Sequence, residues 1–150
     1  MKTLYIFIFA FLLIGCNNQY NPLDNLLSPE TVAFQVLNKD NGQNLFTNGT
    51  YNPGEITITN LESNSPVNFS FITDNSLNLI VIENIGRESE SINYAVKIAG
   101  KNLFDFTGDA ILVKNEFSEP EYSNLKVENA ANLLDKTTGV YKILVEPNRN

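Results

Sequence analysis

The residues of this chain that suggest chemistry are a few paired carboxylates and one thiol. Asp105 and Asp109 flank a glycine in Asp105-Phe106-Thr107-Gly108-Asp109. Carboxylates around a glycine offer hard oxygen ligands of the kind Ca²⁺ takes, but the segment lacks the further acidic positions of an EF-hand loop. A solvated turn at Gly108 is the simpler expectation, with Asp105 and Asp109 kept as weak metal candidates. Glu88 with Glu90, and Glu119 with Glu121, stand two residues apart. Glycoside hydrolysis needs two carboxyls across a cleft, whereas acids at i and i+2 share one side of a strand and form a charged edge that discourages aggregation. No catalytic residue is assigned from these pairs.

Composition removes other mechanisms. The 150 residues include no histidine, no tryptophan and one cysteine. Ser-His-Asp triads, imidazole acid/base work and His-ligated zinc are therefore excluded. The strongest sugar-stacking side chain is missing as well. The formal charge is −7, which repels nucleic-acid phosphates and anionic headgroups, so no nucleic-acid partner is expected.

The single thiol, Cys16, stands directly after an unbroken apolar run, Leu4 to Ile14, that follows Lys2. The run is roughly half the ~20 residues that a membrane-spanning helix needs. A positive residue and then a short apolar core at the N-terminus form a secretory signal. An unpaired cysteine in an exported chain requires an explanation. The segment Leu13-Ile14-Gly15-Cys16 resembles the lipobox of bacterial lipoproteins: an aliphatic residue, a tolerant position, a small residue and the modified cysteine. That resemblance implies cleavage after Gly15. It also implies a thioether diacylglycerol on Cys16 and an N-acyl chain such as palmitate on its amine. One acyl chain binds a membrane only marginally and several bind durably. No other cofactor is expected. In such lipoproteins an aspartate beside the cysteine can retain the protein in the inner membrane. Asn17 stands there, and no acidic cluster follows, which points to the outer membrane and its periplasmic face.

Residues 1–15 are thus expected to be the signal peptide, and 16–29 the lipidated cysteine with a polar tether carrying Leu23, Leu26 and Leu27. Residues 30–147 form one domain, and 148–150 a polar tail. A domain of this size buries about two-thirds of its unfolded surface and can build a core without disulfides.

Period-two alternation dominates that domain. Val32, Phe34 and Val36 share one strand face, as do Ile56 and Ile58, then Val67, Phe69 and Phe71, then Ile92, Tyr94, Val96 and Ile98, and last Tyr141, Ile143 and Val145. Leu77 to Ile82 is almost continuously aliphatic, as a strand covered on both faces would be. Lys39-Asp40-Asn41-Gly42 and Pro53-Gly54 are turn signals. Around 125–134 the pattern allows a helix through Val127, Ala130, Ala131 and Leu134, or a hairpin through Asn124 to Gly139. Most tyrosines fall on apolar faces and belong to the core, whereas Tyr20 and Tyr51 are expected to be exposed. Seven to nine short strands with turns between them predict an all-β antiparallel sandwich. The strand Thr31–Leu37, the Asn-Gly turn before Asn44-Leu45-Phe46, and Tyr51-Asn52-Pro53 leading into Ile56-Thr57-Ile58 resemble the immunoglobulin-like or transthyretin-like lipoprotein domains common in Bacteroidota. That resemblance is structural and carries no functional residues.

The expected function is a non-enzymatic binding or structural domain, anchored by lipid in the cell envelope and contacting an envelope protein or a glycan. The alternatives are a Ca²⁺-assisted or carboxylate-based hydrolase of polysaccharide and a lipid-anchored inhibitor or immunity protein.

Overall fold

The structure, a computed structural model, describes residues 30–113 and 120–146. The signal, the lipobox, Cys16, the tether, Tyr20, Glu119 and the polar tail lie outside the described residues. Ten strands are present among the described residues: β1 (Val32–Asn38), β2 (Ile56–Asn60), β3 (Ser65–Pro66), β4 (Phe69–Ile72), β5 (Leu79–Ile82), β6 (Glu90–Ile98), β7 (Lys101–Leu112), β8 (Pro120–Glu128), β9 (Ala131–Asp135) and β10 (Val140–Val145). They form two five-stranded sheets, with order β4-β5-β1-β10-β9 in sheet A and β3-β2-β6-β7-β8 in sheet B. The protein is an all-β sandwich.

The alternation explains the packing. Val32, Phe34 and Val36 turn inward from sheet A, and Ile92, Tyr94, Val96, Phe104 and Phe106 turn inward from sheet B, all in one buried cluster. Phe34 is its hinge-pin: its ring lies 4.9 Å from Phe104, 5.1 Å from Phe106 and 5.7 Å from Tyr141. The Phe104 and Phe106 contacts join the two sheets, the Tyr141 contact joins neighbouring strands of sheet A, and all add to the area they bury.

One pairing departs from the antiparallel expectation. β1 and β10 run parallel at the centre of sheet A, with Ala33 opposite Val140 and Asn38 opposite Val145. Parallel neighbours need a crossover connection, and here all the intervening strands supply it. The remaining pairs are antiparallel. Because β1 and β10 start at the same end, the chain enters the domain at one end of the sandwich and leaves at the other.

Residues 125–134 are not helical. They complete β8, cross at Asn129-Ala130 from sheet B to sheet A, and become β9, which forms a hairpin with β10. Asn129 takes a left-handed conformation at φ 65°, which asparagine accepts more readily than most residues. The helical spacing arose by chance from two successive strands, in which Val127 is half-buried against the core and Leu134 is exposed.

Candidate functional site

Asp105, Gly108 and Asp109 lie on a strand rather than in a turn. All three belong to β7, which continues unbroken to Leu112. The turn expectation fails because the irregularity belongs to the neighbouring strand. The register slips between Thr107 and Asp109, so Asn124 and Leu125 of β8 face the single residue Gly108, which makes a bulge. A Cβ on Gly108 would come within 2.6 Å of Leu125 Cδ2 and 3.1 Å of its Cα. Glycine is there because Leu125 fills the space.

The two aspartates are engaged in this arrangement. Asp109 accepts from Asn124 Nδ2 at 2.9 Å, where Asn124 takes φ 55° at the bulge. Asp105 accepts from Asn102 Nδ2 at 3.0 Å and from Asn129 Nδ2 at 2.5 Å. Four residues apart on one strand, their Cα atoms are separated by roughly 13 Å, too far for both to ligate one cation. The described residues contain no group of three or more His, Cys, Asp or Glu that could hold a metal ion.

The glutamates divide similarly. Glu88 is exposed in the β5–β6 connection. Glu90 turns inward instead: its carboxylate accepts from Gly86 N at 2.8 Å and from Tyr94 Oη at 3.2 Å. Tyr122 Oη donates to Ile85 O at 2.9 Å. Burial, followed by the nearby Glu90 charge, raises the Tyr94 phenol well above its ordinary value. Burial likewise pushes Tyr122 up to about 12. These groups tie down the chain at the entry end, where Glu30 O accepts from Ile85 N at 3.0 Å and the Glu30 carboxylate pairs with Arg87 at 3.0 Å. Glu121 is exposed on β8, away from any facing acid of this set.

The opposite end carries an open cavity of about 530 Å³, within the range of ligand sites. Its wall is assembled from separate segments: the loop at Thr50-Tyr51 and Glu55, the β6–β7 turn at Ala99 and Lys101-Asn102, the β8–β9 crossover at Asn129-Ala130, and the ends of β1 and β10 at Lys39 and Glu146. Each segment is held in place. Asn52 accepts from Gly54 N at 3.0 Å and caps the 3-10 turn Pro53–Glu55. Tyr51 N donates to Leu45 O at 2.9 Å, and Ala99 N donates to Glu55 O at 3.1 Å. Lys39 pairs with Glu146 at 2.9 Å. Asp105, through Asn102 and Asn129, ties two of the wall segments together.

Tyr51 is not fully exposed as the sequence suggests. It is half-buried, its ring 6.0 Å from Phe46, and burial raises its phenol above the ordinary value. The cavity wall thus combines an aromatic ring, carboxamides and charges of both signs, a set that hydrogen-bonds polar ligands without an evident nucleophile. Lys39, Asn129 and Glu146 escape sequence reasoning because they come from turns up to about a hundred residues apart, and no local pattern joins them. Compared with family models, with curated proteins and with solved structures, the chain matches none.

Proposed function

We propose that this chain is a lipid-anchored, non-enzymatic binding protein of the cell envelope, which holds a glycan or a neighbouring envelope protein at the end of the sandwich away from its point of entry. The observation that carries this reading is the placement of the cavity. The chain enters beside Glu30 and Arg87, and β1 then runs seven residues to the end where Lys39 and Glu146 border the cavity. At ~3.3 Å per residue this separates entry and cavity by about 20 Å. An anchor preceding residue 30 therefore leaves the cavity accessible. Engagement of Asp105 and Asp109 by asparagine carboxamides, and of Glu90 by Gly86 N and Tyr94 Oη, favours binding over hydrolysis.

Two measurements test the reading. Cys16→Ser should abolish lipid labelling and release the protein into soluble fractions; unchanged membrane association would refute the anchor. Titration with envelope glycan fragments should give saturable binding that Tyr51→Ala weakens. Release of reducing ends in the same mixtures would favour the hydrolase instead.

A second reading, a protein partner as for an anchored inhibitor, is favoured by β9. This edge strand pairs only with β10 and exposes Leu133 and Leu134, 61% and 46% accessible. Exposed apolar edges accept a further strand. Crosslinking in intact envelopes through position 133 would recover that partner.

A further inference from the structure

Two carboxamides in the cavity wall are oriented by one group that lies behind them. Asn102 stands near the start of β7 and Asn129 in the crossover from β8 to β9, and both line the cavity. Asn102 Nδ2 donates to Asp105 Oδ1 at 3.0 Å, and Asn129 Nδ2 donates to Asp105 Oδ2 at 2.5 Å. Each carboxylate oxygen thus holds one amide. A carboxylate accepts and does not donate, so neither amide can flip to present its own oxygen there. One N–H and the carbonyl oxygen of each remain available. Neither carboxamide makes another hydrogen bond among the described residues. Ordering these side chains before a ligand arrives removes part of the entropy loss on binding.

We propose that the cavity takes an uncharged saccharide, read by Asn102 and Asn129, and that Asp105 is the positioning residue for both. This rests on the reading of the cavity as a binding site, and names the class of its ligand and the groups that recognise it. Sugar hydroxyls donate and accept at once, as an amide's free N–H and carbonyl do. The Tyr51 ring, with Leu103 and Ala130, gives the wall an apolar part against which the C–H face of a sugar ring can lie.

Charge argues against an acidic sugar. Two lysines, Lys39 and Lys101, and two glutamates, Glu55 and Glu146, border the cavity and cancel. Lys39 is already held by Glu146 at 2.9 Å. The Asp105 carboxylate adds a negative charge behind the amides. With a chain charge of −7, the field of the whole molecule opposes an anionic ligand as well.

Heteronuclear NMR titration of the full chain in detergent, which reads weak binding, would compare neutral trisaccharides of glucose, mannose and N-acetylglucosamine with trigalacturonate. The expected result is saturable binding of at least one neutral sugar, weaker binding of the acidic one, and movement of the Asn102 and Asn129 side-chain signals. Asn102→Ala and Asn129→Ala should each weaken the neutral sugar by roughly threefold to tenfold. Asp105→Asn keeps the shape and loses the charge. It should weaken binding to a similar degree while circular dichroism shows the sandwich intact. On the combined Asn102→Ala, Asn129→Ala background, Asp105→Asn should have no further effect, because its action passes through the two amides. A further loss there would give Asp105 a merely structural role and overturn its part in the proposal. Tighter binding of trigalacturonate, or neutral-sugar binding that both alanine variants leave intact, would overturn the proposal while the cavity stays a binding site. A native protein that binds none of these sugars would overturn it together with the glycan reading.

Discussion

The two outer faces of this sandwich have opposite character although both sheets have five strands. Sheet B shows Ser91, Asn93, Thr107, Asp109, Ser123, Lys126 and Glu128 outward, the polar alternation of a sheet that meets water. Sheet A shows Ala33, Leu79, Val81 and Val140, all buried. β6 of sheet B therefore reads clearly in sequence, whereas β5 of sheet A, Leu-Ile-Val-Ile, is buried at every position and gives no alternation. The polar residues of the sheet A face, Ser70, Gln35, Lys142 and Asp135, are interleaved with or flank this buried apolar group.

The sharpest way to break this comparison is to put a charge on each face. Val81→Asp should cost about 3–5 kcal/mol, as other uncompensated buried charges do, whereas Ser123→Asp should stay within about 0.5 kcal/mol. Urea denaturation of the two variants would measure this, and similar midpoints would erase the distinction.

A smaller effect is expected where sheet B is irregular. Gly108→Ala forces its Cβ against Leu125 and should destabilise by about 1–3 kcal/mol through overpacking. Thermal melts would show it, and a neutral result would mean that the bulge on β8 can move.

Asp105→Ala removes the acceptor of two carboxamide hydrogen bonds and should cost about 1 kcal/mol, given partial exposure. Because Asp105 and Asp109 are held apart on β7, adding Ca²⁺ should shift the melting temperature of neither the native protein nor this variant. A calcium-dependent rise in the native protein alone would restore the metal site.

The remaining tests are titrations. Tyr94 and Tyr122 have phenol pKa values raised in the folded state, so the fold favours their neutral forms. Their contribution is complete below the unfolded value near 10 and declines as pH rises through the folded one, towards about 12 for Tyr122. Stability should fall above pH ~10, and Tyr94→Phe should flatten the decline. Least of all, Lys142 and the backbone N–H of Thr137 hold Asp135 below its ordinary carboxylate value. That contribution is present above the ordinary value and fades as pH falls through the folded one, so Lys142→Met should slightly reduce acid sensitivity below pH ~4.

Much of the fold was legible in the sequence because alternation is a local signal. Ile92 to Ile98 and Tyr141 to Val145 lie in strands with the expected faces. The turn at Asn41-Gly42 is closed by Gly42 N donating to Asn38 O at 2.8 Å. Failures occur where two strands had to be known together. Gly108 reads as a turn until Leu125 is seen opposite it, and 125–134 reads as a helix until the crossover at Asn129 divides it between sheets. The site was less legible. Of the cavity wall only Tyr51 stood out, and the structural use of Glu90 depends on Tyr94 and Gly86 lying on either side of it.

The sequence by itself determined the sandwich, through period-two burial, and limited the available chemistry, through its lack of histidine and its single cysteine. Tertiary structure alone decided that the first and last strands pair in parallel, and hence that entry and cavity lie at opposite ends. It alone showed the aspartates bonded to asparagine carboxamides and Glu90 bonded to Gly86 N and Tyr94 Oη. Local sequence encodes which way each side chain points from its own strand; what it meets there is set by residues far away along the chain.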